Sequence, residues 1–329
     1  MTAVTANDVT VVIPAYNSAK TIGATIASAL GQTTPPAQIY VMDDGSTDET
    51  ADLVGEFGDR VRLLRQENRG VSTARNELLR RTSSSLVAFL DSDDIWHAQL
   101  LEHLLLGFVQ EPDAVVSFAG FHTVGERVQV LPPKEPVVVD GYRVYAGDEF
   151  LESFIAKSGI ILPSFSLVRR SALEQIGTRP FPSDLHGSED MYLWYRLALM
   201  GPFVRVVARL GYYRLVTGSL SDDRLRVFRD RMNASAKILQ AYRQIAPSWA
   251  PLALRHYHIS CRQAAKFSLG AREVPEAREH LRRALRESWE PKTLGLFIAT
   301  YLPEALRPTP SRFRSKEAAT AQGMPESQG

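Results

Sequence analysis

Five short runs of β-branched and aromatic residues, separated by stretches of helical spacing, constrain this chain more than any other feature. They are VTVVIPAY (9–16), QIYVMDD (38–44), VRLLRQ (61–66), LVAFLD (86–91) and AVVSFAG (114–120). Each reads as a strand. Strand and helix in alternation imply crossover connections, hence a mainly parallel, twisted α/β sheet with helices on both faces. In open sheets of this kind ligands bind beyond the carboxyl ends of the strands. Those ends carry Pro14 to Asn17, Asp43 with Asp44, and Asp91 with Asp93.

The intervening helices have apolar faces at the helical period. Ile22, Ile26, Ala29 and Leu30 line one, a second begins near Ser72, and Leu100, Leu101, Leu104, Leu105 and Phe108 line another. Ser46 and Glu49 have the spacing of a capping box. From about residue 121 the pattern is less regular: a loop or antiparallel edge at 130–139, a helix near 147–158, strand then helix at 164–177, a helix within 187–201 and an extended stretch at 207–221. Beyond Asp222 the chain reads as helices, with a helical hairpin at 262–291 vaguely like one tetratricopeptide unit, and a disordered tail over 306–329. The expected domains are 1–221 and 222–305.

Asp91, Asp93 and Asp94 follow the fourth strand within four positions. Like charges this close repel, so keeping them ionised calls for a cation, donor groups or water. Hard Mg²⁺ or Mn²⁺ suits such oxygens, commonly bound by one or two carboxylates plus substrate phosphates. The plainer reading is a solvated acidic turn, with Asp94 capping a helix that starts at Ile95. Position at the end of a buried strand favours the cation. The chain has neither G-x-G-x-x-G after the first strand nor G-x-x-x-x-G-K-[ST], so a diphosphate must be held without a glycine-rich cradle.

Bulk numbers set the class. The 329 residues are 44% hydrophobic and 23% charged, as in a soluble globular protein. One cysteine, Cys261, excludes an internal disulfide and a thiolate zinc site. No run reaches the ~18 apolar residues of a bilayer span, and no secretory signal opens the chain, so a cytoplasmic location is expected. Residues 222–329 hold 19 Lys or Arg against 11 Asp or Glu, a net of +8 balanced by −7 before them. A basic rear half suggests peripheral contact with the inner face of a membrane, the plainer reading being solvated helix faces; no nucleic-acid partner is expected.

Taken in order, VVIPAYNSAKTI, VMDDGSTDET, NRGVSTARNELL, LVAFLDSDDIW and GSEDMYLWYRL resemble the family 2 glycosyltransferases over roughly residues 8–221. The resemblance implies a Rossmann-like GT-A fold and inverting, non-processive transfer of one sugar from a nucleotide-diphosphate donor, a UDP-sugar above all. It implies an acceptor glycan or lipid-linked sugar and a Mn²⁺ or Mg²⁺ cofactor. Pro14, Tyr16 and Asn17 match the first nucleotide-binding block, and Asp44 matches the acid that bonds a pyrimidine base. Asp93 matches the metal ligand, Asp91 and Ser92 lie nearer the ribose or share the metal, Arg75 matches a basic position near the donor, and Asp190 matches the catalytic base.

Each residue has a plainer role. Tyr16 could pack on the sheet edge, Asp43, Asp44 and Asp48 could be turn or cap residues, and Arg75 could pair with a surface acid. Glu189 and Asp190 could be first-turn acids favoured by the helix dipole, and Trp96 and Trp194 could be core. Two departures stand out: Val216 occupies a stretch where relatives carry histidine, and the Q-x-x-R-W signature of processive synthases is missing. Two other readings stay open, a haloacid-dehalogenase-like phosphatase and a non-catalytic nucleotide-sugar-binding scaffold.

Overall fold

The computed structural model describes residues 4–125, 136–146, 149–153, 161–216 and 223–303. The tail at 306–329, most of the expected loop at 130–139, both ends of the expected 147–158 helix and the end of the expected extended stretch at 207–221 lie outside the described residues.

Nine strands form one sheet among the described residues. They are β1 (Val9–Ala15), β2 (Gln38–Asp43), β3 (Arg62–Arg65), β4 (Leu86–Phe89), β5 (Ile95–Trp96), β6 (Val116–Gly125), β7 (Tyr142–Tyr145), β8 (Ser166–Arg169) and β9 (Phe203–Leu215). Their order is β3-β2-β1-β4-β8-β6-β9-β5, with β7 also on β9. The block β3-β2-β1-β4 is wholly parallel, as expected. Beyond it the pairing is mixed: β8 runs antiparallel to β4 and β6, β6 is parallel to β9, and β5 and β7 are antiparallel to β9.

The helices that follow the strands along the chain are α1 (Ile22–Leu30), α2 (Thr50–Gly55), α3 (Val71–Arg81), α4 (Leu100–Gln110), α5 (149–153) and α6 (Arg170–Ile176). Val9, Val11 and Ile13 share a core with Ile22 and Ile26 of α1 and Leu100, Leu101 and Leu104 of α4. Thr10 and Val12 point to the other face and are equally buried, and α3 packs on β1 and β2. Helices on both faces explain why β1 is apolar at nearly every position rather than at every second one.

Two local capping readings, the plainer one for Asp94 and the capping-box spacing of Ser46, are overturned. Ile95 and Trp96 do not open a helix capped by Asp94; they pair with Tyr212 and Gly211 of β9, and α4 starts only at Leu100 after Gln99. Both side chains are fully buried there, and that burial outweighs the helical pattern. Gly211 leaves room for the Phe165 ring, from which a Cβ at this position would lie 2.2 Å. Nor is Ser46 the cap of α2: Glu49 holds that place without a side-chain cap, and Ser46 turns to another loop.

The chain divides into two compact units, one of Met1–Phe150, Gly159–Asp184 and Arg196–Thr217, the other of Leu151–Ser158, Leu185–Tyr195 and Gly218–Gly329. In the second, α8 (Arg224–Ile245), α9 (Ala250–Gly270), α10 (Val274–Glu287) and α11 (Pro291–Ala299) pack in sequence, with α9 and α10 forming the expected hairpin. Phe228 stacks on Phe267 at 4.1 Å, and Ala265, Leu269, Ala277, Leu281 and Leu296 form a small core. The helix α7 (Glu189–Leu197) begins within this unit. Tyr242 of α8 donates to the Tyr195 carbonyl at 2.6 Å, and His256 of α9 stacks on the Tyr195 ring at 5.1 Å. Among the described residues no helix is long and apolar enough to cross a membrane.

Candidate active site

The chain leaves β1, crosses to β2 and β3 on one side, then returns to β4 on the other. This reversal makes the carboxyl ends of β1 and β4 a topological switch point, where neighbouring loops part and leave a crevice. Pairing of β1 with β4 stops at Val12 and Phe89, whereas pairing with β2 continues to Ala15. Pro14 therefore sits in a central strand without breaking a ladder on the β4 side, just where the strands diverge.

Side chains stitch the loops of adjacent strands together. Asn17, in the left-handed region at φ 48°, donates its backbone N–H to Ser46 Oγ at 2.9 Å, and its Oδ1 accepts from Thr47 N at 2.9 Å. Ser18 N donates to Thr50 Oγ1 at 2.7 Å, and Ser18 Oγ meets Ser92 Oγ at 2.7 Å. The loops after β1, β2 and β4 thus form one connected rim. Tyr16 stands on it half exposed, so its ring is not packed on the sheet edge.

Asp43 and Asp44 are both buried but do different work. Asp43 accepts from Ser46 N and pairs with Arg65 at 2.9 Å, which shapes the turn. Asp44 accepts from Gln66 Nε2 at 2.6 Å, Arg69 N at 3.0 Å and Gly70 N at 2.7 Å. Its carboxylate holds the loop that leads into α3, and the second lone pair of Oδ2 is the acceptor left for a ligand.

The loop after β4 concentrates charge. Arg75, buried on α3 with its guanidinium over the Phe181 ring at 5.3 Å, pairs with Asp91 Oδ1 at 2.5 Å. It is therefore not a surface pair. The Asp93 carboxyl is pushed up to about 6, first by burial and then by the Asp91 charge, with Arg214 and Arg75 pulling the other way. Asp94, fully buried, is raised well above the carboxylate range by burial, then by Asp93 and Asp91, and its Oδ1 accepts from Arg214 N at 3.1 Å. Oxygen donors whose ionisation is held back by desolvation and mutual repulsion are what a hard divalent cation would relieve, so the residues present fit Mg²⁺ or Mn²⁺. Among the described residues no group of three His, Cys, Asp or Glu side chains is placed to hold a metal ion by itself.

Arg214 was not among the candidate residues. It is buried on β9, close enough to Asp93 to act on its ionisation, with Nε and Nη2 making no hydrogen bond to protein. A buried guanidinium with open donors suits an anionic ligand. It lies two positions before Val216, where a histidine was missed. In sequence it is one arginine in an extended run with Arg205 and Arg209; only the β5–β9 pairing brings it to the acids.

Asp190 belongs to the second unit. It lies in the first turn of α7 beside the buried Glu189, and its Oδ1 accepts from Met191 N at 2.6 Å. Pro14, Tyr16, Asn17, Asp44, Arg75, Asp91, Ser92 and Asp93 all belong to the first unit. Trp96 and Trp194 are both core, and Trp96 Nε1 donates to the Ser164 carbonyl at 2.5 Å.

Comparison with known proteins gives the family and the fold. Residues 10–177 match the model of glycosyl transferase family 2. The succinoglycan biosynthesis protein ExoU of Rhizobium meliloti is 31% identical over 283 residues, 82% of this chain and 80% of its own. The putative teichuronic acid biosynthesis glycosyltransferase TuaG of Bacillus subtilis is 29% identical over 72% of this chain and 88% of its own. Among solved structures, S. aureus TarS 1–349 in complex with UDP-GlcNAc superposes with a TM-score of 0.66 at 18% identity, covering 88% of this chain and 84% of TarS. The mannosyltransferase PcManGT from Pyrobaculum calidifontis, in complex with GDP-Man and Mn²⁺, gives 0.58 at 20% identity over 96% and 86%. With a sequence match across half its length and a mixed α/β sheet of the GT-A kind, the chain belongs to the family 2 glycosyltransferases.

Proposed function

We propose that the protein moves one sugar from a nucleotide diphosphate, most readily UDP, onto an acceptor hydroxyl of a glycan or lipid-linked sugar, with inversion. The observation that carries this reading is the pair of acids Asp91 and Asp93 between two buried arginines, Arg75 and Arg214, at the switch point. The relatives named for succinoglycan and teichuronic acid biosynthesis support a cell-envelope glycan as product. TarS with UDP-GlcNAc supports a uridine donor.

Tyr16 offers its exposed ring to the base, and Asp44 offers the remaining lone pair of Oδ2 to a base N–H. Pro14 and Asn17 shape the loop that carries the ring, and Ser92 with Asp91 faces the ribose. Asp93, with Asp91, holds Mn²⁺ or Mg²⁺, which when bound neutralises charge on the leaving diphosphate. PcManGT with Mn²⁺ supports that cofactor. Arg214 and Arg75 add fixed positive charge for the same oxygens. Asp190 takes the proton of the acceptor hydroxyl as its oxygen attacks the anomeric carbon from the side opposite the leaving group. Residues 1–221 are read as the transferase domain and 222–305 as the helical region on which α7 packs.

Family membership removes the phosphatase alternative, and turnover separates an enzyme from a binding scaffold. Titration calorimetry with UDP and Mn²⁺, paired with a donor-consumption assay, tests the reading. Metal-dependent UDP binding lost in Asp93→Ala is expected, together with turnover in the unaltered protein. UDP binding that ignores both metal and Asp93 would defeat it.

A further inference from the structure

Helix α11 buries one side and exposes another. Thr293 and Leu296 face inward, while Pro291, Gly295 and Ile298 follow at intervals of four and three along the outer side, and Leu302 is exposed in the turn just after the helix. Ile298 is 58% exposed, Tyr301 55% and Leu302 41%, and Trp289, just before the helix, is 80% exposed. Large side chains so open rarely cluster on a soluble surface without something to cover them.

Cations surround the stripe. Arg278 places its guanidinium 3.8 Å from the centre of the Tyr301 ring, Arg282 lies 5.6 Å from the Phe297 ring, and Lys292 is exposed on the helix itself. Between Arg278 and Lys316 the sequence holds nine Lys or Arg against four Glu, a net of +5. Four of those cations, Arg307, Arg312, Arg314 and Lys316, follow within 14 residues of Leu302. A second copy of this chain would bring two such charges together, which Coulomb repulsion opposes. An anionic bilayer offers the complementary charge, an interface for Trp289 and Tyr301, and an apolar layer for Ile298 and Leu302.

We propose that Trp289 and the outer side of α11, flanked by Arg278, Arg282 and Lys292, seat the protein on an anionic lipid surface. The docking surface lies outside the donor site and is independent of the transfer reaction. Its basic flanks set the preference for anionic lipid, and its apolar stripe provides the hold that persists when salt screens the charge.

The test is co-sedimentation of the full chain with vesicles of phosphatidylglycerol and phosphatidylcholine in equal parts, against phosphatidylcholine alone, at low salt. Binding to the mixed vesicles only, weakened by salt and accompanied by a blue shift of tryptophan emission, is expected. The double variant Ile298→Ser, Leu302→Ser should bind about tenfold more weakly, and Arg282→Glu with Lys292→Glu should lose the anionic preference. All four positions are at the surface, so an unchanged circular dichroism spectrum verifies the fold. No binding to mixed vesicles, equal binding to both kinds, or full binding by the Ile298, Leu302 variant overturns the proposal. So does concentration-dependent self-association, abolished by that variant, in a protein that ignores lipid.

Discussion

Replacing Asp93 by Asn should make the metal-free protein more stable near neutral pH while removing the function the residue serves. The Asp93 carboxyl titrates at about 6 in the fold against an ordinary 3.8, because burial and the Asp91 charge disfavour its ionised form. At 1.36 kcal/mol per pKa unit this gap corresponds to at most about 3 kcal/mol. Asp93 remains partly open to solvent, and screening reduces the expectation to about 1–2 kcal/mol. A folded pKa above the unfolded one favours the native state below about pH 4, and that contribution is lost as the pH rises through about 6. Asn is neutral throughout and does not incur this loss. In EDTA the variant should therefore melt about 2–6 °C higher at about pH 8, and the difference should close by about pH 4. Saturating UDP with Mn²⁺ should reverse the order, since only the unaltered protein gains the ligand's contribution of about 3 kcal/mol at a hundred times Kd. Differential scanning fluorimetry across pH, with and without ligand, reads all of this. A variant no more stable at about pH 8, or a difference that does not change with pH, would refute the argument.

Other outcomes follow from particular contacts. Asp190→Asn should keep UDP binding and lower transfer by about 10²–10⁴-fold in a single-turnover assay. Arg214→Ala should weaken UDP binding by about tenfold with partial recovery in Arg214→Lys, as read by calorimetry, because a buried guanidinium with open donors is replaced by nothing. His256, fully buried against Tyr195 and near Arg231, has its pKa pushed down to about 3 by burial first. Its contribution to stability is present above about pH 6.5 and is lost as the pH falls towards about 3. His256→Gln should flatten this part of the acid-unfolding curve followed by circular dichroism. Gly211→Ala should cost about 1–3 kcal/mol in urea unfolding, because its new methyl meets the Phe165 ring.

The sequence by itself determined the parallel block and its acidic rim. β1 to β4 are short apolar runs whose helices show the helical period, so their alternation leaves few topologies. Acids at the ends of the two parallel strands that flank β1 must then lie on one edge of the sheet. It also put Tyr16, Asp44 and Asp93 on that edge, because each follows such a strand. Only the tertiary structure decided what each of these groups bonds to. Ser46 has the local spacing of a helix cap, yet it receives the Asn17 N–H from a loop 29 residues away. Asp94 looks like a cap as well, yet β5 is pulled into the sheet by the burial of Trp96, and the Asp94 carboxylate turns to β9. Arg214 became visible only through that pairing, and α7, with Asp190, was seen to pack on α8 and α9 only once Tyr195 met Tyr242 and His256. Periodicity records which face of an element is apolar, whereas a polar group's partner is set by whichever distant segment the fold brings within hydrogen-bond reach.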